Sequence, residues 1–269
     1  MDAKRIICVI DSGIGGLPYL EWMRSELPCE QFVYLSDVAG FPYGEQTPEE
    51  LCRRLELIMS WFVRRYNPQA CVVACNTASV VGLAFLRQTF PDIAFVGVVP
   101  AVKPAAETSR KRAIGILATQ RTVDDRYLAG LVQKYAAEVK VESLAAGSLV
   151  RFIEHQLYVP ADPVPHLRPI AKRFAAAGVD SVVLGCTHFL HIADQLSHLL
   201  GPEIAIIDSR EGVTRQLKRI IAYGALSVYP CAMRDRQNDV PWYITANVSA
   251  SLLQHVSARF QVQPQLVRV

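Results

Sequence analysis

The chain has 269 residues, 51% of them hydrophobic and 20% charged, with a formal net charge of +3. That is core enough for one large or two modest domains, and too weak a field to call for nucleic acid or an anionic membrane as partner. Seven cysteines, at 8, 29, 52, 71, 75, 186 and 231, stand at no metal-ligand spacing, which excludes a metal centre by sequence and reads as reduced thiols in a cytoplasm.

The first apolar run, residues 5–10, is stopped at once by Asp11. It is too short for a signal peptide or a membrane span and reads as a buried parallel strand. Asp11-Ser12-Gly13-Ile14-Gly15-Gly16 then forms a glycine-rich turn into a helix, Leu17–Glu26. Such a turn can bring backbone amides to an anion, but it is not the dinucleotide fingerprint, and a tight strand-to-helix connection would need the same glycines. A second strand, Gln31–Ser36, ends on Asp37, and the loop after it carries Phe41-Pro42-Tyr43-Gly44. Thr47-Pro48-Glu49-Glu50 opens a helix in capping-box style over 49–66, with Leu51, Leu55, Ile58, Met59 and Phe62 on its core face. Asn67-Pro68 stops it. The strand at 71–74 ends on Cys75, and Asn76-Thr77 caps a helical run through 80–86.

A strand at 93–98 leads into the proline-bracketed segment Val99-Pro100-Ala101-Val102-Lys103-Pro104, where a domain boundary is expected. A strand at 112–117, a turn at Ala118-Thr119 and a helix at 122–135 repeat the opening unit at an offset of about 107. Further on stand a strand at 139–144, a helix at 149–157 holding Glu154 and His155, a proline-rich loop at 159–165 and a helix at 167–177. The strand Ser181–Gly185 ends on Cys186, followed by Thr187-His188 and a helix at 189–200. A short strand at 204–207 ends at Asp208-Ser209, and a helix at 211–226 is expected to return to the first domain. A loop at 233–239, a strand at 242–245 and a helix at 251–260 close the chain.

Cys75 alone reads as a packed thiol at a strand end. Its copy at Cys186, 111 positions later with the same strand, cysteine, hydroxyl and helix start, points to one internal duplication. Alternating strands and helices give parallel βαβ units, whose ligands sit at the carboxyl ends of the strands. Two cysteine-bearing strand ends facing one cleft would flank a small polar substrate, one thiolate removing a proton and one thiol returning it. A helix N-terminus lowers a thiol pKa from its usual ~8.5, which suits both sites. Asp11 would raise it, and is better cast as a proton relay or ammonium anchor. A dithiol redox pair lacks the usual CxxC, and a thiol hydrolase using Cys186 with His188 leaves Cys75 unexplained. His155, His191 and His198 read as surface or cap residues.

Six motifs in order resemble glutamate racemases of the aspartate/glutamate racemase superfamily: Asp11-Ser12-Gly13-Ile14-Gly15-Gly16-Leu17, Pro42-Tyr43-Gly44, Ala74-Cys75-Asn76-Thr77-Ala78-Ser79, Pro100-Ala101-Val102-Lys103-Pro104-Ala105, Leu184-Gly185-Cys186-Thr187-His188 and Asp208-Ser209. The resemblance implies an α/β fold of two similar, mainly parallel domains, 1–98 plus 209–269 and 99–208, with the site in the cleft between them. It implies a cofactor-independent, cytoplasmic isomerase that supplies D-glutamate for peptidoglycan and forms a homodimer. Cys75 and Cys186 would be the acid/base pair, assisted by Asp11 and His188 respectively, with Glu154 as a further candidate. Asp11, Ser12, Pro42, Tyr43, Gly44, Asn76, Thr77, Thr187 and His188 would hold glutamate. The sequence departs from the pattern at Phe189-Leu190, where the family commonly has tyrosine and proline, and at Ala145-Ala146-Gly147, which lacks the family's cysteine-proline pair. An aspartate racemase or related two-cysteine isomerase is the alternative in the same class. A non-catalytic small-ligand binding protein is the alternative outside it.

Overall fold

The structure, a computed structural model, describes residues 6–156, 161–223 and 240–269. The loop expected at 233–239, and the parts of the expected helices and proline-rich loop at 157–160 and 224–226, lie outside the described residues. In chain order the elements are β1 (Ile6–Asp11), α1 (Leu17–Glu26), β2 (Gln31–Ser36), α2 (Pro48–Tyr66), β3 (Ala70–Val73), α3 (Asn76–Thr89), β4 (Ala94–Gly97), α4 (Val102–Thr108), β5 (Ala113–Ala118), α5 (Gln120–Asp124), α6 (Arg126–Tyr135), β6 (Lys140–Ala145), α7 (Gly147–Gln156), α8 (Val164–Ala177), β7 (Ser181–Gly185), α9 (Ala193–Leu200), β8 (Ala205–Ile207), α10 (Arg210–Tyr223), β9 (Val240–Ile244), α11 (Ala250–Phe260) and β10 (Val262–Leu266).

The chain divides into two compact units, Met1–Val98 with Arg210–Val269, and Val99–Ser209. The first holds a six-stranded sheet in the order β10-β9-β2-β1-β3-β4, the second a four-stranded sheet in the order β6-β5-β7-β8, and every strand pair is parallel. The run β2-β1-β3-β4 and the whole of β6-β5-β7-β8 have the same order counted from each unit's start, which is the arrangement an internal duplication produces. The central strands β1, β3, β5 and β7 are buried almost end to end. Helices cover both faces of a parallel sheet, so such strands read as unbroken apolar runs rather than alternations.

Local chemistry fixes the helix ends that frame these sheets. The Thr47 hydroxyl accepts from the Glu50 amide while the Glu50 carboxylate accepts from the Thr47 amide, a reciprocal cap with Pro48 behind it. At the other end Asn67 takes the left-handed conformation, φ 45°, which asparagine tolerates and which stops α2. Between them Leu51, Leu55, Ile58, Met59 and Phe62 are buried against β1 and β3. Gly178, φ 74°, ends α8 in the same way.

Four expectations need correction. The helix expected at 122–135 is broken at Asp125, φ −79°, ψ 137°, into α5 and α6. The helix expected at 189–200 starts as a 3-10 turn over Thr187–Ile192, and only Ala193–Leu200 is α-helical. The tail adds β10, parallel to β9 at the sheet edge, where the polar sequence Gln263-Pro264-Gln265 conceals a strand; proline is tolerated there because edge strands need not donate on their free side. Cys29 is disulfide-bonded, whereas Cys8, Cys52, Cys71, Cys75 and Cys186 are free, so the reading of uniformly reduced thiols does not hold at Cys29. Among the described residues no helix is long and apolar enough to cross a membrane.

Candidate active site

In the first unit the ends of three neighbouring strands carry the expected residues. β1 ends on Asp11, fully buried, whose Oδ1 accepts from the Ser12 amide at 2.6 Å and the Ser12 hydroxyl at 3.2 Å. Next to it, Val73 of β3 pairs with Ile10, and the chain passes through Ala74 to Cys75 at the start of α3. Asn76 and Thr77 fill the first turn of that helix, both buried. The Asn76 side chain has neither its Oδ1 nor its Nδ2 hydrogen-bonded. Burying an amide without partners is costly, so its presence calls for a physical reason.

Beyond β2 lies the third group. Asp37 is buried and receives the Arg54 guanidinium on both oxygens, the Tyr43 hydroxyl on Oδ2 at 2.8 Å and the Thr245 hydroxyl on Oδ1 at 2.7 Å. Burial pushes the Tyr43 phenol well up, and the Asp37 charge pushes it further, so the phenol keeps its proton and donates it to Asp37 Oδ2. Tyr43 was expected among the substrate-binding residues. Its hydroxyl is committed to Asp37. The Phe41-Pro42 bond before it is cis. Asp37 and Arg54 were not singled out from sequence; an acid at a strand end and an arginine on the exposed-looking face of a helix carry no signal of their partnership.

In the second unit Cys186 ends β7 as Cys75 ends β3. The two backbones nearly superpose in conformation, φ −140°, ψ 123° at Cys75 and φ −144°, ψ 135° at Cys186, and both residues are 7% exposed. Here the second residue on is a histidine. His188 Nδ1 lies 3.9 Å from the Cys186 sulfur, and Nε2 lies 2.8 Å from Glu154 Oε2 on α7. His188 and Glu154 are both buried. Burial alone would lower the imidazole pKa, but hydrogen bonds and charge from Cys186 and Glu154 outweigh it and hold His188 well above its usual value. The structure therefore brings Glu154 to His188, although Ala145-Ala146-Gly147 lacks the family's cysteine-proline pair; Ala146 still joins the Ala118 carbonyl at 2.9 Å, and α7 starts at Gly147 in the right place. Phe189, the other departure, is fully buried. Thr187 is buried at the head of the 3-10 turn.

Sequence reasoning missed one more pair of hydroxyls. Thr119 and Thr122, 3.0 Å apart, cap α5 at the carboxyl end of β5, the strand beside β7. Among the described residues no group of three or more His, Cys, Asp or Glu is placed to hold a metal ion.

The family model for Asp/Glu/hydantoin racemases matches residues 22–217. The chain belongs to that family. It is 39% identical over 222 residues to a glutamate racemase of Pseudomonas syringae pv. tomato, covering 81% of this chain and 79% of that one, and 40% identical over 216 residues to one of Shewanella frigidimarina, covering 80% and 83%. Among solved structures it is similar to Escherichia coli glutamate racemase in complex with L-glutamate and the activator UDP-MurNAc-Ala, with a TM-score of 0.87 and 31% identity over 98% of this chain and 97% of that one. Glutamate racemase RacE1 of Bacillus anthracis gives a TM-score of 0.82 at 26% identity, over 99% and 98%. The chain is thus a racemase of the glutamate racemase kind, with the two-unit parallel α/β fold of those structures.

Proposed function

We propose that the protein interconverts L- and D-glutamate by two-thiol acid/base chemistry at Cα, without a cofactor, and so supplies D-glutamate for peptidoglycan in the cytoplasm. The observation that carries this reading is the pair of buried cysteines at equivalent strand ends with matching backbone conformation. One cysteine, as thiolate, takes the α-proton; the C–H electron pair stays on Cα, delocalised into the adjacent carboxylate. The other, as thiol, gives its proton to the opposite face. The inverted product leaves with the two protonation states exchanged, and the reverse reaction or solvent restores them.

The remaining groups support this division. The unpartnered Asn76 amide, the hydroxyls of Ser12, Thr77 and Thr187 and the amides of Tyr43-Gly44 suit two carboxylates, and Asp11 suits the ammonium. A protonated His188, backed by Glu154, stabilises the Cys186 thiolate by charge. Cys75 draws on the start of α3 and on Asp11 as proton relay. The halves are alike in scaffold and different in assistance.

The test is incorporation of deuterium at Cα in heavy water, with each glutamate enantiomer and with aspartate. Uptake from both glutamate enantiomers is expected, and Cys75→Ala and Cys186→Ala should each abolish racemisation. Uptake from aspartate alone would move the assignment to an aspartate racemase. Uptake from neither would favour a binding protein, and full activity in Cys75→Ala would refute the two-thiol mechanism.

A further inference from the structure

The turn that carries Asp11 and Ser12 is held from β2. Tyr34 and Ser36 lie two residues apart on that strand, on the same face, and both donate to the Gly13 carbonyl, each at 2.7 Å. A carbonyl has two lone pairs, and both are taken. The Tyr34 oxygen accepts in turn from the Gly16 amide at 3.2 Å, and the Ser36 oxygen accepts from the Trp242 indole N–H at 2.8 Å, Trp242 being the register partner of Tyr34 on β9. The result is one buried chain of hydrogen bonds, from Trp242 through Ser36 to Gly13 and from Gly16 through Tyr34 to Gly13.

The far side of the turn is packed against the strand that ends on Cys75. A Cβ placed on Gly16 would lie 2.8 Å from Cβ of Ala74, the residue before Cys75, and 2.9 Å from the Tyr34 oxygen. The glycine is therefore gripped between the phenol and the end of β3, with no room for any other residue. The phenol hydroxyl thus ties both ends of the 13–16 segment, which follows directly on Asp11 and Ser12.

We propose that Tyr34, with Ser36 and Trp242 behind it, is a positioning residue for the proton transfer at Cys75. The proposal rests on the two-thiol reading above. Tyr34→Phe keeps the ring that packs on the turn and removes only the hydroxyl. Misplacement of reacting groups by a fraction of an ångström to an ångström lowers rates by about 10- to 100-fold, and a loss of that size in kcat/KM is expected. Because the two enantiomers have an equilibrium constant of unity by mirror symmetry, that loss must be equal in both directions and cannot itself reveal which thiol is affected.

The deciding readout is the isotope effect on kcat/KM with each enantiomer deuterated at Cα. When the Cys75 transfer becomes the slower step, the effect rises for the enantiomer that Cys75 deprotonates and falls for its mirror image. The same skew, toward the same enantiomer, is expected in Asp11→Asn, and the opposite skew in His188→Gln. Isotope effects unchanged in folded Tyr34→Phe, or skewed as in His188→Gln, would overturn the proposal. So would the same skew in Tyr243→Phe, a buried tyrosine of β9 whose hydroxyl meets Tyr66. If Tyr34→Phe does not fold, Ser36→Ala removes one of the two hydroxyls on Gly13 and should give the same skew. Cys75→Ala, assayed alongside, separates the two failures: activity retained there sinks the two-thiol reading, whereas an inactive Cys75→Ala beside unskewed Tyr34→Phe sinks only the role of Tyr34.

Discussion

Replacing Glu154 by glutamine leaves the shape behind His188 and removes one charge. The pair is buried, with a 2.8 Å contact between Glu154 Oε2 and His188 Nε2 and side chains 1% and 2% exposed, so solvent does little to screen it. Breaking a buried ion pair by deleting one partner costs about 3–5 kcal/mol. Glutamine retains a hydrogen-bonding partner and His188 can relieve its charge by losing a proton, which reduces the expected cost to about 2–3 kcal/mol. The sign of the pH dependence follows from the raised imidazole pKa of the folded protein. A raised folded pKa contributes stability that is complete below the unfolded value, about 6.5, and is lost as pH rises through the folded value. Thermal denaturation of both proteins between pH 5.5 and pH 9, values on the order of the usual histidine range and above, should show a gap that is widest at the acid end and narrows upward. Activity follows the same proton: without the carboxylate only Cys186 supports a charge on the buried imidazole, His188 is protonated less, the Cys186 thiolate loses counter-charge, and kcat near neutrality should fall about 10- to 100-fold, or about 1.4–2.7 kcal/mol in barrier. A stability gap that does not change with pH, or kcat unchanged in the folded variant, would show that His188 and Glu154 do not share a charge and that the counter-charge argument for Cys186 is wrong.

Asn76→Ala removes an amide that has no hydrogen bond in the protein, so thermal stability should be no lower than in the parent while KM for glutamate rises about tenfold or more, a split read from melting curves and initial rates. A fall in stability with KM unchanged would mean that the amide serves the fold. Asp180 accepts from the amides of Arg110 and Lys111 and the Ser109 hydroxyl; burial pushes its pKa up, but these bonds outweigh it and hold the carboxyl below its usual value. Its stabilisation should therefore be complete above the unfolded value of about 3.9 and disappear as pH falls through the folded one, so Asp180→Asn and the parent should converge in melting temperature on acidification. Leu55→Ala, in the buried face of α2 where Leu55 also fills the space over Gly82, should cost about 2–5 kcal/mol in denaturant unfolding and leave KM unchanged.

How much of this was legible in the sequence depends on how local its cause is. α2 could be read because its cap, its apolar period and its stop all lie within 47–67. β10 could not: Gln263-Pro264-Gln265 becomes a strand only because β9 offers it an edge, and no neighbour in sequence announces that. The same divide runs through the site. Cys75 and Cys186 were visible as a repeated local pattern, and their matching backbone angles follow from the same strand-to-helix geometry. The hydrogen bonds of Tyr34 and Ser36 to one glycine turn, and of Trp242 to Ser36, were not, since these residues lie 21, 23 and more than 200 positions from Gly13, and read separately each is an ordinary core residue.

That divide also explains why the two halves differ where they do. The shared strand order, β2-β1-β3-β4 and β6-β5-β7-β8, places a thiol at the same point of each sheet. The turn after the first strand of each sheet differs between them, and in the first unit part of its support comes from outside the repeated strands. In the first unit Asp11 stands in a glycine turn braced by Tyr34 and, through Ser36, by Trp242 of β9, a strand with no counterpart in the second sheet. In the second unit the turn after β5 has neither acid nor glycines, and a histidine stands instead within the thiol's own segment, with His188 anchored by Glu154 of α7. The additional strands at the β2 edge thus do more than widen a sheet: they let one half of a duplicated scaffold hold a carboxylate beside its cysteine where the other half holds an imidazole.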